Sequence, residues 1–143
     1  MEVFIAFTKD SLFSDLTDTL LVWEKIPSAE PIAIEVPKVK YEIIRRVTAE
    51  NMSVGDYLLC DLGCVPNEED CISLVEGLFL QDEKVGMIRF LPESGIRACR
   101  KGVVEKWPKR ESINYQHEHE MAYLLEGYLV PKCSLSYRRL GVH

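Results

Sequence analysis

Residues 55–66, Gly-Asp-Tyr-Leu-Leu-Cys-Asp-Leu-Gly-Cys-Val-Pro, place a short apolar run between two turn signals. Tyr57 to Cys60 is continuously apolar, with Gly55-Asp56 before it and Asp61-Leu62-Gly63 after it. That pattern predicts a strand covered on both faces rather than an amphipathic helix. Asp61 then stands where the strand leaves the sheet. Ligands of open α/β sheets bind outside the carboxyl ends of strands, so a carboxylate here can hold a divalent cation or a hydroxyl-rich ligand. Its alternative role is to close a turn in which Gly63 supplies a positive φ.

Working outward, Val3 to Phe7 reads as a first strand, ended by Thr8-Lys9-Asp10-Ser11. With Ser11 as N-cap, Leu12, Phe13, Leu16, Leu20 and Trp23 recur at helical spacing and predict a helix whose apolar stripe covers the sheet. Pro31 to Val36 is a second strand. Tyr41, Ile43, Ile44, Val47 and Met52 fit a second helix that carries Arg45 and Arg46 and stops before Gly55. After Pro66, the acidic Glu68-Glu69-Asp70 enters the first turn of a third helix, with Ile72, Val75 and Phe79 as its buried stripe. Lys84 to Phe90 is another strand. Alternating strands and helices imply parallel pairing through right-handed crossovers. Residues 91–112 read as a loop-rich excursion with a short strand at Val103-Val104. His117 to Glu126 reads as a last helix with Met121, Leu124 and Leu125 on its apolar side, and Tyr128 to Val130 as a final strand.

At 143 residues and 47% hydrophobic content, the chain suits one domain with its own core. It holds no apolar run of membrane-spanning length and no basic start ahead of an apolar core, so a cytoplasmic protein without a membrane span is expected. Five cysteines without zinc spacing suit reduced, buried thiols. The net charge of −6 divides unevenly. Residues 1–96 carry 8 Lys/Arg against 18 Asp/Glu, and residues 97–143 carry 9 against 5. No nucleic-acid partner is expected of an acidic chain. The basic run Arg97, Arg100, Lys101, Lys106, Lys109, Arg110 suits either an anionic ligand such as a diphosphate or a solvated loop. In His117-Glu118-His119-Glu120, alternate residues diverge on a helix and cannot chelate together.

The order Arg46, Gly55-Asp56-Tyr57, Asp61-Leu62-Gly63, Val65-Pro66, Glu68-Glu69-Asp70, Val85-Gly86-Met87 resembles the inverting GT-A-fold nucleotide-sugar glycosyltransferases, most closely from Arg46 to Phe90. The resemblance implies a three-layer αβα sandwich with a mostly parallel sheet, residues 1–90 forming a nucleotide-binding half and 91–143 a shortened acceptor-side half. It implies transfer of a sugar from a nucleotide-diphosphate donor to an acceptor hydroxyl. Thr8, Glu35, Arg46, Asp61 and Gly63 would then hold the donor, Asp61 and His143 a divalent cation (Mn or Mg), and Glu118 or Glu120 would act as general base. The pattern departs from the family where Gly63 replaces the second acid of the D-x-D turn and Val47 an asparagine. The chain is also much shorter than typical members. A non-catalytic binding or assembly module of the same fold is the alternative, and a homo-oligomer stays open. A nucleotidyltransferase would need a glycine-rich phosphate loop after the first strand, which Thr8-Lys9-Asp10-Ser11 does not provide.

Overall fold

The computed structural model of the chain describes residues 1–37, 47, 53–92, 95–102 and 115–141, with side chains undescribed at 115–118 and 132. Seven strands form one sheet: β1 (Glu2–Phe7), β2 (Glu30–Glu35), β3 (Tyr57–Cys60), β4 (Cys64–Pro66), β5 (Met87–Leu91), β6 (Ile96–Cys99) and β7 (Lys132–Arg139). Three helices have both ends among the described residues: α1 (Phe13–Glu24), α2 (Cys71–Gln81) and α3 (Tyr115–Leu125). The strand order is β2-β1-β3-β6-β5-β7-β4.

The sheet has two halves of different character. β1 pairs parallel with β2 on one side and β3 on the other. Beyond β3, β6 runs antiparallel to both β3 and β5, and β4 runs antiparallel to β7, while β5 and β7 are parallel. This mixed sheet, with three antiparallel pairings among six, overturns the expected mostly parallel three-layer GT-A sandwich. The physical reason is the Ile96–Cys99 strand. Its four residues are all buried, but an arginine interrupts the run and proline and glycine precede it, so the segment reads as loop. Folding back from β5 as a close antiparallel neighbour, β6 inserts between β3 and β5 and breaks the parallel series. β7, with its polar Ser and Arg alternation, is a strand the sequence pattern hid. The expected final strand at Tyr128 to Val130 reduces to one bridge, Val85 to Leu129.

Side-chain alternation along the strands sorts the core into two clusters, one on each face. On one face Val3, Ile5, Leu58, Ile88, Phe90 and Ile96 pack with Trp23 of α1 and with Ile72, Val75 and Phe79 of α2. On the other Phe4, Ala6, Ile34, Leu59, Met87 and Cys99 pack with Tyr123 of α3 and with Val47, the one described residue of the expected second helix, which is helical and buried. The expected stripe of α2 is confirmed, though Glu68, Glu69 and Asp70 precede the helix rather than entering its first turn. In α1 the stripe holds from Leu16 onward, with Leu16 and Leu20 partly buried against the cluster that contains Trp23. Thr19 and Trp23 are its buried residues, whereas Leu12 and Phe13 are 65% and 82% exposed. Ser11 does not cap α1, since its hydroxyl accepts from the Thr8 amide instead. Among the described side chains of α3 the buried ones are His119 and Tyr123, and the expected stripe of Met121, Leu124 and Leu125 faces outward. Gly86 allows that packing, because a Cβ there would meet the Tyr123 ring at 2.6 Å and the Tyr128 Cβ at 2.7 Å.

Candidate functional site

The parallel half has a topological switch point. From β1 the chain crosses to β2 on one side and later returns to β3 on the other, so the crevice lies at the carboxyl ends of β1 and β3. Two expected donor-binding residues meet close to it. Thr8, just past β1, and Glu35, the last residue of β2, line one cleft of about 250 Å³ together with Lys9, Ser11, Phe13 and Leu16. The loop that forms the cleft floor is braced locally: the Thr8 amide donates to Ser11 Oγ at 2.9 Å, and the Ser11 amide donates to the Thr8 carbonyl at 3.1 Å. The exposed Phe13 ring at the rim, anomalous for a helix stripe, gives the cleft an aromatic wall.

Asp61 and Gly63 share a turn outside this cleft. The Cys64 amide donates to the Asp61 carbonyl at 3.1 Å, closing a β-turn in which Gly63 has φ +86°. A positive φ at the third position is the type II geometry that favours glycine. The position where a second carboxylate would complete a D-x-D pair is therefore occupied for a backbone reason. The turn is anchored from α1, whose Thr19 hydroxyl accepts from the Gly63 amide at 3.0 Å and donates to the Asp15 carbonyl at 2.7 Å. Arg139, across from Cys64 in the β4–β7 register, is close enough to be influenced by the Asp61 charge. Burial lowers the pKa of Arg139, but the acidic groups of Cys64, Tyr137 and Asp61 outweigh it and hold the pKa up. Among the described residues no three His, Cys, Asp or Glu side chains gather as a metal-holding group. Arg46 and His143 lie outside the described residues, as does the side chain of Glu118.

Glu120, the other candidate base, is held in an ion pair, with Oε1 2.6 Å from Arg89 Nη1. Beside it on α3, His119 is fully buried, and its Nδ1 lies 2.9 Å from Arg97 Nη1. Burial and then the Arg97 charge push the His119 pKa well down, so the ring is neutral and Nδ1 accepts from the guanidinium. Tyr57, Tyr123 and Cys99 are buried on the same face, with the Tyr123 hydroxyl donating to the Arg100 carbonyl at 3.3 Å, and burial is the first cause raising the pKa of each, that of Cys99 to about 11. All three are protonated at neutral pH.

The basic run does not form one surface. Arg100 is a structural clamp: its Nε donates to the Val85 carbonyl and its Nη2 to the carbonyls of Phe79 and Asp82, with the guanidinium over the Phe79 ring. Lys101 Nζ donates to the Ser53 and Val54 carbonyls. Lys106, Lys109 and Arg110 lie outside the described residues. Among the described members of the run Arg97 alone is buried, at 3% exposure, and this was beyond sequence reasoning because arginine is rarely interior. A wider groove of about 560 Å³ between α2 and β7, bordered by Leu74, Leu78 and Leu135, has no charged side chain in its lining among the described residues.

No protein-family model matches the chain, and no curated protein sequence matches it. Among solved structures it is similar to the crystal structure of A197 from STIV, at 14% sequence identity and a TM-score of 0.60, over 97% of this chain and 85% of that one. No helix among the described residues is long and apolar enough to cross a membrane. At 14% identity the likeness to A197 is one of fold alone, and the fold it accompanies is the mixed seven-stranded sheet.

Proposed function

We propose that this chain binds the nucleoside end of a nucleotide or nucleotide sugar in the cleft between Thr8 and Glu35. The observation that carries the reading is the meeting of these two side chains at the carboxyl ends of a parallel strand pair, beside the switch point. A carboxylate at the end of the second strand suits a ribose hydroxyl, as in other sheets of this kind. The Phe13 ring offers a stacking surface to a base, and Lys9 a cation to the phosphates that extend outward. A cleft of about 250 Å³ takes a nucleoside and leaves the rest of the ligand on the open side.

Binding, rather than sugar transfer, is the activity proposed. Two features favour it: Gly63 occupies a turn position that suits glycine, and the Glu120 carboxylate is engaged by Arg89. Calorimetric titration with uridine, guanosine, cytidine and adenosine diphosphates, and with their sugar conjugates, tests the reading on the native protein and on Glu35→Gln, with and without manganese. One base is expected to bind, with affinity about tenfold or more weaker in Glu35→Gln. Silence across the panel, or equal affinity in the variant, would sink the proposal. Release of free sugar or transfer to an acceptor by the native protein would restore the transferase reading.

A further inference from the structure

The sheet face under α3 contains an imbalance of charge that the nucleotide cleft does not use. Arg89 and Arg97 are direct register partners across the antiparallel β5–β6 pair. Opposed residues in such a pair have Cβ atoms about 5 Å apart, and like charges placed there repel. Both side chains lie on the α3 face, since Ile88, Phe90, Ile96 and Ala98 on either side of them belong to the opposite cluster. Among the described side chains one carboxylate answers the two cations: Glu120 pairs with Arg89. Arg97 is the more deeply buried of the two, and among the described side chains, which leave out Glu118, no carboxylate lies within ion-pair reach of it.

Its hydrogen bonding is equally incomplete. Nη1 is spent on the neutral His119 ring, while Nε is buried without a hydrogen-bond partner. Nε and Nη2 form the edge with which a guanidinium grips an oxyanion in two parallel bonds. A guanidinium buried without a counter-charge is unfavourable unless something else supplies the missing partner. Arg89, at 36% side-chain exposure, keeps the pair in contact with solvent.

We propose that Arg97 and Arg89, with His119 orienting the Arg97 guanidinium, form an oxyanion site of the phosphate class beneath α3. The bound anion supplies the counter-charge that no described side chain gives Arg97 and screens the two arginines from each other. The site is bordered by α3, whereas the nucleotide cleft is bordered by α1, and it stands whether or not a nucleoside binds in that cleft.

The test measures thermal unfolding and calorimetric binding of inorganic phosphate, pyrophosphate and uridine diphosphate in chloride buffer, on the native protein, Arg97→Met and Glu120→Gln. Native protein is expected to show a saturable rise in unfolding temperature. Arg97→Met is expected to lose that response while unfolding no lower than anion-free native protein, because an apolar chain of similar length removes the unanswered charge. A response to inorganic phosphate assigns free phosphate to the site. A response to uridine diphosphate alone, abolished by Arg97→Met and kept by Glu35→Gln, assigns the diphosphate of a nucleotide. Should Arg97→Met fail to fold, Glu120→Gln decides, since removing the competing carboxylate is expected to tighten phosphate severalfold. No saturable response in native protein, an unchanged response in Arg97→Met, or an unchanged midpoint in Glu120→Gln overturns the assignment.

Discussion

The two faces of the sheet are built on different principles. Under α1 and α2 the face is apolar and continuous: Trp23, Ile72, Phe79, Ile88 and Phe90 are buried, and the Trp23 ring nitrogen donates to the Cys64 carbonyl at 3.1 Å. Under α3 the buried groups include Tyr57, Tyr123, Cys99, His119 and Arg97. The first face holds the sheet together by removing apolar surface from water, at roughly 25 cal/mol per Å². The second keeps polar atoms dry, which stabilises only where every atom finds a partner. One face therefore resists substitution by volume, and the other by charge and hydrogen bonding.

The largest effect is expected on the apolar face. Trp23→Ala should cost about 3–5 kcal/mol by urea denaturation, because it leaves a cavity and removes one of the two side-chain donors, Trp23 Nε1 and the Cys60 thiol, that serve the Cys64 carbonyl. A cost near that of a surface substitution would mean the α1 face does not anchor the fold. Next comes the packing of α3. Gly86→Val should cost about 1–3 kcal/mol, since its added carbons collide with Tyr123 and Tyr128. An undiminished unfolding midpoint would show α3 to be loosely seated.

The charge logic of the α3 face appears in its pH dependence. His119 has a folded pKa well below 6.5, lowered by burial and then by the Arg97 charge. Unfolding below pH 6.5 therefore takes up a proton. That part of the stability is complete above 6.5 and falls as the solution is acidified towards the folded pKa. Denaturation midpoints from pH 7.5 to 5 should decline more steeply in the native protein than in His119→Gln; parallel curves would remove His119 from the comparison. The smallest effect belongs to the Asp61 turn. Gly63→Ala should cost about 1 kcal/mol, the penalty for a side chain in the left-handed region, with no effect on nucleotide titrations if the cleft is the site.

The parallel half was legible because each of its strands is an apolar run bounded by turn residues, and Trp23 marks the covering helix. Thr8 and Glu35 were legible by position alone, as the residues at two strand ends. The antiparallel half was hidden. Ile96–Cys99 has an arginine inside it and Lys132–Arg139 has arginines and serines, so neither gives the continuous or cleanly alternating apolar pattern that announces a strand. Charge-based reading grouped Arg97 with Arg100 and Lys101, because sequence neighbours look alike until the pleat sends one inward. The stripe of α3 was misread for a related reason: a histidine and a tyrosine took the buried positions that Met121 and Leu125 advertise.

The placement of β7 orders these events in time. β4 pairs with no strand but β7 among the described residues, and the Arg138 guanidinium reaches the Pro66 carbonyl across 72 positions of chain. During synthesis β1 has both its strand partners once Cys60 has emerged and β3 gains β6 with residues 96–99, but β4 must wait exposed until residues 132–139 arrive. Closing so long a loop places the antiparallel half among slow-forming topologies. A pulse of hydrogen exchange during refolding is expected to protect amides of β1 before those of β4 and β7.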